Sequence, residues 1–196
     1  MLEYEKTIMT KRLIINYDIS SPSPREWDGN LGYFITCDSK IESPDKNDIL
    51  EDIIKETGKV ANNQAQHIEL IEKSFNDIFK NEKIIAIYPI TKYEHSAIVY
   101  KLGEYHGFDY SNNGFYVITK ETVKKYGDVE GNFEDIINKE LEVYNKWING
   151  ECYKFLLYDD KGNLVNECGG LYDIEDIRDY LPKEFDDEDL IEYFDN

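Results

Sequence analysis

The sequence predicts an α+β fold: a single domain with a mostly antiparallel sheet, flanking helices and an acidic, helical C-terminal tail. Three observations lead there. Apolar runs of strand character mix with segments of helical periodicity, without the strict βαβ alternation that a parallel sheet needs. Two such runs, CYKFLLY (152–158) and NLVNEC (163–168), are joined through Asp159-Asp160-Lys161-Gly162-Asn163, a β-hairpin signal and so an antiparallel pair. Residues 171–196 carry eleven Asp/Glu against two Lys/Arg, yet keep apolar residues at intervals that suit a helix.

Taken in order, KRLIINY (11–17) and LGYFITC (31–37) are β-branched and aromatic runs that read as strands. Ser43-Pro44 reads as an N-cap followed by proline at the first helical position. The helix it opens runs to about residue 55, with Ile49, Leu50, Ile53 and Ile54 as its apolar stripe and Gly58 as its stop. A second helix over 63–79 places Ile68, Ile71, Phe75 and Ile78 on one face, with His67 at the boundary. Together the two helices form an insert at about 44–80 within a domain of residues 1–172. KIIAIYPI (83–90) is continuously apolar, which predicts a central strand covered on both faces. HSAIVYKL (95–102) and GFYVIT (114–119) read as further strands. Thr119 is placed to cap a short helix, and a longer helix over 132–149 puts Ile137, Leu141, Tyr144 and Trp147 on one side before Gly150. In segment 173–196, Asp173 and Asp186 are placed to cap two short helices. Tyr180, Leu181, Phe185, Leu190, Ile191 and Phe194 make that segment amphipathic, which a solvated charge brush would not be.

Composition narrows the function classes. Of 196 residues, 41% are hydrophobic and 16 are tyrosine, enough apolar material to oppose disorder despite 32% charged residues. No run approaches the roughly 20 apolar residues that cross a bilayer, and MLEYEKTIMTKR lacks the basic start and apolar centre of a leader. The expectation is a cytoplasmic protein with no membrane partner. Cys37, Cys152 and Cys168 are far apart and form no CxxC pair, which suits reduced structural thiols. His67, His95 and His106 do not cluster with them, so no zinc site is predicted. The net charge of −19 opposes direct nucleic-acid binding and favours a basic partner, although acidity also serves solubility alone.

Phosphate-loop, dinucleotide, HExxH and GxSxG signatures are absent from the sequence. Three loops nevertheless hold polar side chains: Arg25, Trp27, Asp28 and Asn30 in the first, Tyr93-Glu94-His95-Ser96 in the second, and His106 with Asp109 to Asn113 in the third. A carboxylate, Asp28 or Asp109, beside His95 could orient an imidazole as general base or help hold a divalent metal. The same residue types also serve plain turn chemistry, because Asp and Asn bond nearby backbone amides. In the loop between the first two strands, SSPSPREWDGNLGYF (20–34), the prolines and glycines suit a fixed crossing. There Trp27 would pack on the sheet, and Arg25 and Asp28 could tie the loop by a salt bridge or backbone bonds.

That loop, with Ser23, Pro24, Arg25, Trp27, Asp28, Asn30, Leu31 and Gly32, resembles the Ser-Pro-Arg-x-Trp-Asp-Asn-Leu-Gly block of a family of phage and mobile-element proteins, with Gly29 inserted. The likeness continues through IYPITKYEHSAI, where Ala97 stands for a usual glycine. It extends through FDYSNNGFYVITKETVKKYG, where Phe108 stands for a tryptophan, and through ELEVYNKWINGECYKFLLYDDKGNLVNECGGLY. It covers about residues 14–172 apart from the helical insert, and the acidic tail lies outside it. The resemblance implies an accessory protein of a mobile element. Joined to the charge, it suggests an anti-CRISPR or antirestriction inhibitor that binds a basic host defence protein or nucleoprotein complex such as a CRISPR effector, without a cofactor. The candidate partner-binding carboxylates are Asp176, Asp179, Glu184, Asp186, Asp187, Glu188, Asp189 and Glu192. The alternatives are a metal-assisted hydrolase of nucleotides or nucleic acid using Asp28, His95 and Asp109, and an interaction module for another phage protein.

Overall fold

A computed structural model describes residues 11–37, 42–79, 82–127, 129 and 132–194. The first ten residues, read above for a leader, and residues 195–196 of the acidic tail lie outside the described residues. The chain divides into two compact units, Pro24–Asn145 and the pairing of Met1–Ser23 with Lys146–Asn196. Helices and antiparallel strands make it an α+β protein, as expected, and the strands of the described residues fall into two antiparallel sheets.

The Pro24–Asn145 unit holds a four-stranded sheet of β2 (Tyr33–Thr36), β3 (Ile84–Glu94), β4 (Ile98–Leu102) and β5 (Tyr110–Thr119), in the order β2-β5-β3-β4. The strand covered on both sides is β5, whose last six residues are all buried, and not β3, where Ile85 is half exposed. Strand alternation gives β5 two jobs. Phe115 and Val117 join Ile35 in a core under α1 (Asp48–Gly58) and α2 (Gln64–Ile78), packing against Leu50, Ile54, Ile71 and Phe75. Tyr116, one residue out of phase with them, meets α4 (Phe133–Ile148) through Glu140. Phe34 stands edge-on to Tyr100 and to Tyr144 of α4, with centroids 5.0 and 5.6 Å away. The Asn145 amide brackets the β4 main chain, accepting from Tyr100 N at 2.8 Å and donating to Tyr100 O at 3.0 Å.

Side-chain oxygens fix the helix starts by taking otherwise unpaired N–H groups. Asn63 accepts from Gln66 N, Asn132 from Asp135 N, and Thr119 forms a reciprocal box with Thr122 at the start of α3 (Lys120–Tyr126). The first helix departs from expectation. Its cap is Asn47, which accepts from Leu50 N, while the Ser43 hydroxyl accepts from Thr36 N instead. Ser43 and Asp45 are drawn to the β2 backbone, so the helix starts four residues late.

In the second unit, β1 (Arg12–Tyr17), β6 (Tyr153–Tyr158) and β7 (Leu164–Leu171) form an antiparallel sheet in the order β1-β6-β7. The predicted hairpin is β6–β7, and Asp159 organises its turn by accepting from Lys161 N and Asn163 N. Leu13, Ile15, Phe155 and Leu157 of this sheet pack against Ile177, Phe185 and Leu190 of the C-terminal segment. That segment forms three 3-10 turns, Ile174–Tyr180, Lys183–Phe185 and Leu190–Tyr193, in place of two helices. Asp173 caps the first as expected, but the last is capped by Asp189 and not by Asp186.

Candidate functional site

The most densely bonded polar cluster grows from the loop that the sequence singled out. Pro24–Glu26 form one 3-10 turn, which buries Arg25 until its side chain is 2% exposed. The guanidinium forks onto Asp45, with Nε–Oδ1 at 3.1 Å and Nη2–Oδ2 at 2.6 Å, and donates to Asn30 Oδ1, Gly32 O and Glu140 Oε2. Two carboxylates meet one cation here, and main-chain donors offset the excess: Phe34 N reaches Asp45 and Leu31 N reaches Glu140. The Tyr116 hydroxyl donates to Glu140 and accepts from Gly32 N at 2.9 Å. Desolvation works against the Arg25 charge, but the adjacent Asp45 carboxylate overrides it and raises the group's pKa above its ordinary value. Burial likewise raises Tyr116, so the phenol stays neutral.

This geometry corrects one expectation and narrows another. Asp28 is exposed and does not pair with Arg25, whose donors go to the partners above. Trp27 is 47% exposed, so its ring is only partly covered. The loop is fixed instead by Asn30, whose Nδ2 donates to Trp27 O at 3.0 Å while its oxygen holds Arg25. Every Arg25 donor is committed to the protein, so the cluster is a structural node with no donor free for a ligand.

The trio of Asp28, His95 and Asp109 is only partly assembled. His95 Nδ1 lies 3.7 Å from Asp109 Oδ2 at the β3–β4 turn, where Glu94 N donates to Asp109 O. His95 is 69% exposed. Asp28 shares a groove with Thr122 and Lys125, just past the far end of β5. Ten residues of strand, roughly 30 Å of contour, separate that end from Asp109. The three therefore do not form one catalytic site. Asn112 of the third loop has a structural role, accepting from Thr91 Oγ1 and from Tyr105 N and donating to Tyr105 O. Among the described residues, no group of three His, Cys, Asp or Glu is placed to hold a metal. The three cysteines are free thiols.

The predicted partner-binding carboxylates lie along the C-terminal segment. Asp176, Asp179, Glu184, Asp186, Asp187, Asp189 and Glu192 are exposed, and Glu188 is half-buried against the Tyr193 hydroxyl. Not all of them are available to a partner. Glu184 pairs with Lys11 at 2.9 Å, and Asp189 is occupied as a cap. What holds this face in shape is Arg178, which the sequence did not single out. It pairs with Glu175 and donates to the carbonyls of Phe185, Asp186 and Glu188, pinning two successive turns together. Its hydrogen bond to Glu175 raises its pKa above the ordinary arginine value.

Sequence reading also missed Asp45, Glu140 and Tyr116, the partners of Arg25. They lie 20 to 115 residues away, and no local pattern marks them. Among the described residues, no helix is long and apolar enough to cross a membrane. Compared with protein-family models, curated proteins and solved structures, the chain matches none.

Proposed function

We propose that the protein is an acidic binding module whose C-terminal segment occupies a basic, phosphate-holding surface of a nucleic-acid-processing effector. In its specific form this is counter-defence, inhibition of a CRISPR or restriction effector by occlusion. One observation carries the reading. Asp176, Asp179, Asp186 and Asp187 are exposed on a segment that Ile177, Phe185 and Leu190 anchor in a core and that Arg178 ties internally. Carboxylates held in place meet a basic groove without the ordering cost that a flexible acidic tail would incur. The mechanism is steric and electrostatic, and no bond is made or broken.

The test titrates the protein into purified CRISPR and restriction effectors and follows their binding of target DNA. The native chain is expected to displace DNA from at least one effector class, and the variant with Asp176, Asp179, Asp186 and Asp187 changed to Asn is expected to displace far less. Equal inhibition by the two proteins, or no displacement from any effector, sinks the proposal.

A further inference from the structure

A second feature lies in the Pro24–Asn145 unit, on the helix-covered face of the sheet. A cavity of about 430 Å³ opens there between β2, β5 and the two helices of the insert. That volume falls within the range of small-molecule sites. Phe115 and Ile54, both about 1% exposed, supply apolar walls, and the Cys37 thiol adds a small apolar edge.

His67 lines this cavity in a fixed pose. Its ring stands edge-on to Phe115, with centroids 4.8 Å apart and planes at 80°. Its Nε2 lies 2.9 Å from Ile54 O, a carbonyl that can only accept, so Nε2 carries the proton. Nδ1 is then the lone-pair nitrogen of the neutral ring, and among the described residues it has no partner. Gly58 makes room for this pose, because a Cβ there would lie 3.1 Å from the ring's Cε1. Asn113 also lines the cavity. Its main-chain oxygen accepts from Cys37 N at 2.9 Å, while its side-chain amide has no partner among the described residues. One acceptor and one donor–acceptor amide thus flank an apolar slot. Lys55 and Lys59 stand at the exposed rim, each already paired with a glutamate of the same helix.

We infer that this cavity is a binding site for a purine-type ring. The cavity is large enough for a flat heteroaromatic ring, with Phe115 and Ile54 among the residues that line it. The Asn113 amide matches the adjacent donor and acceptor on a purine edge, the pairing that asparagine makes with adenine. His67 Nδ1 accepts a ring or exocyclic N–H. The ring could come from a nucleoside or a nucleotide, and a phosphate would have to draw Lys55 or Lys59 away from its glutamate. This site is independent of the acidic segment.

The test uses the full chain with adenosine and AMP, followed by calorimetry and by alkylation of the cysteines, read peptide by peptide. Burial raises the Cys37 pKa, so labelling is run under mildly alkaline conditions. Saturable binding is expected, with Cys37 protected and Cys168, in the other unit, labelled as before. Tighter binding of AMP than of adenosine identifies a nucleotide as the source, and equal binding a nucleoside. Asn113→Leu and His67→Phe should each weaken binding by about tenfold, the scale of one lost hydrogen bond in a partly dry site. Absence of binding and of Cys37 protection at millimolar ligand overturns the inference, as does full affinity in a folded Asn113→Leu variant. Protection of Cys37 in the native chain needs no variant, so a misfolded substitution does not weaken the test.

Discussion

Arg25 and Glu140 are 115 positions apart in the chain, and Arg25 Nη1 donates to Glu140 Oε2 at 2.5 Å. That contact ties the Pro24–Glu26 turn to α4, and through Tyr116 it ties both to β5. Asp45 on the same guanidinium adds the segment that leads into α1. Four pieces of chain depend on one buried cation.

Removing that cation leaves Asp45 and Glu140 partly buried and uncompensated. Arg25→Ala should therefore cost about 3–5 kcal/mol, the range for breaking one side of a buried pair. Arg25→Lys should recover little, since an ammonium cannot reproduce the two-pronged contact with Asp45. Urea denaturation followed by circular dichroism reads both. A loss below about 1 kcal/mol in Arg25→Ala would put the pair in the class of surface salt bridges and refute the node.

Gly32 sits inside the same node, and a Cβ there would lie 2.6 Å from both Tyr116 Cε1 and Val117 O. Backbone on one side and a fully buried ring on the other leave little room to relax. Gly32→Ala should cost about 1–3 kcal/mol, as overpacking does elsewhere. It should also weaken the Tyr116–Glu140 contact, visible as altered tyrosine absorbance on alkaline titration. An unchanged midpoint and an unchanged titration would show that the sheet can shift to accept the methyl group.

The buried tyrosines set an alkaline limit. Burial raises the pKa of Tyr116 and Tyr144 above the free phenol value of about 10. The unfolded chain loses these protons first, so the stabilisation is complete below about pH 10 and declines as pH rises beyond it. Melting temperature should hold up to about pH 10 and fall progressively above it, with a shallower fall in Tyr116→Phe, which has one fewer group to titrate. Tyr116→Phe should start lower at neutral pH, having lost its bond to Glu140. Parallel curves for the two proteins would assign the alkaline limb to other groups.

Periodicity and cap chemistry made the helices at 63–79 and 132–149 and the β6–β7 hairpin legible in the sequence, because those signals are local. The misreadings share one physical cause, competition from distant parts of the chain. Ser43 and Asp45 look like the start of a helix, but the β2 backbone and Arg25 claim their side chains, and Asn47 takes over as cap. KIIAIYPI forms an interior strand as read, between β5 and β4, but β5 is the strand whose two faces are both used, by α1 and α2 on one side and by Glu140 on the other. Its Ser-Asn-Asn-Gly start carries no such mark. Asp28 and Asp109 were equivalent neighbours for His95 until strand pairing set one of them beside it and the other at the far end of β5.

Charge neutralisation on the C-terminal segment should separate stability from binding. Asp176, Asp179, Asp186 and Asp187 are exposed, and none of their carboxylates caps a turn as Asp173 and Asp189 do. Changing the four to Asn should therefore shift the unfolding midpoint by no more than about 0.5 kcal/mol each, the usual range for surface sites. Association with a basic partner should respond quite differently. Long-range attraction acts mainly on encounter, so the variant should lose association rate while its dissociation rate changes less. Raising the salt from about 0.05 M to 0.5 M should slow the native chain toward the variant, because screening shortens the reach of exposed charges to a few ångströms. Stopped-flow or surface-plasmon kinetics at several salt concentrations measure this directly. A native association rate indifferent to salt would mean that the acidic face serves solubility and that another surface recognises the partner.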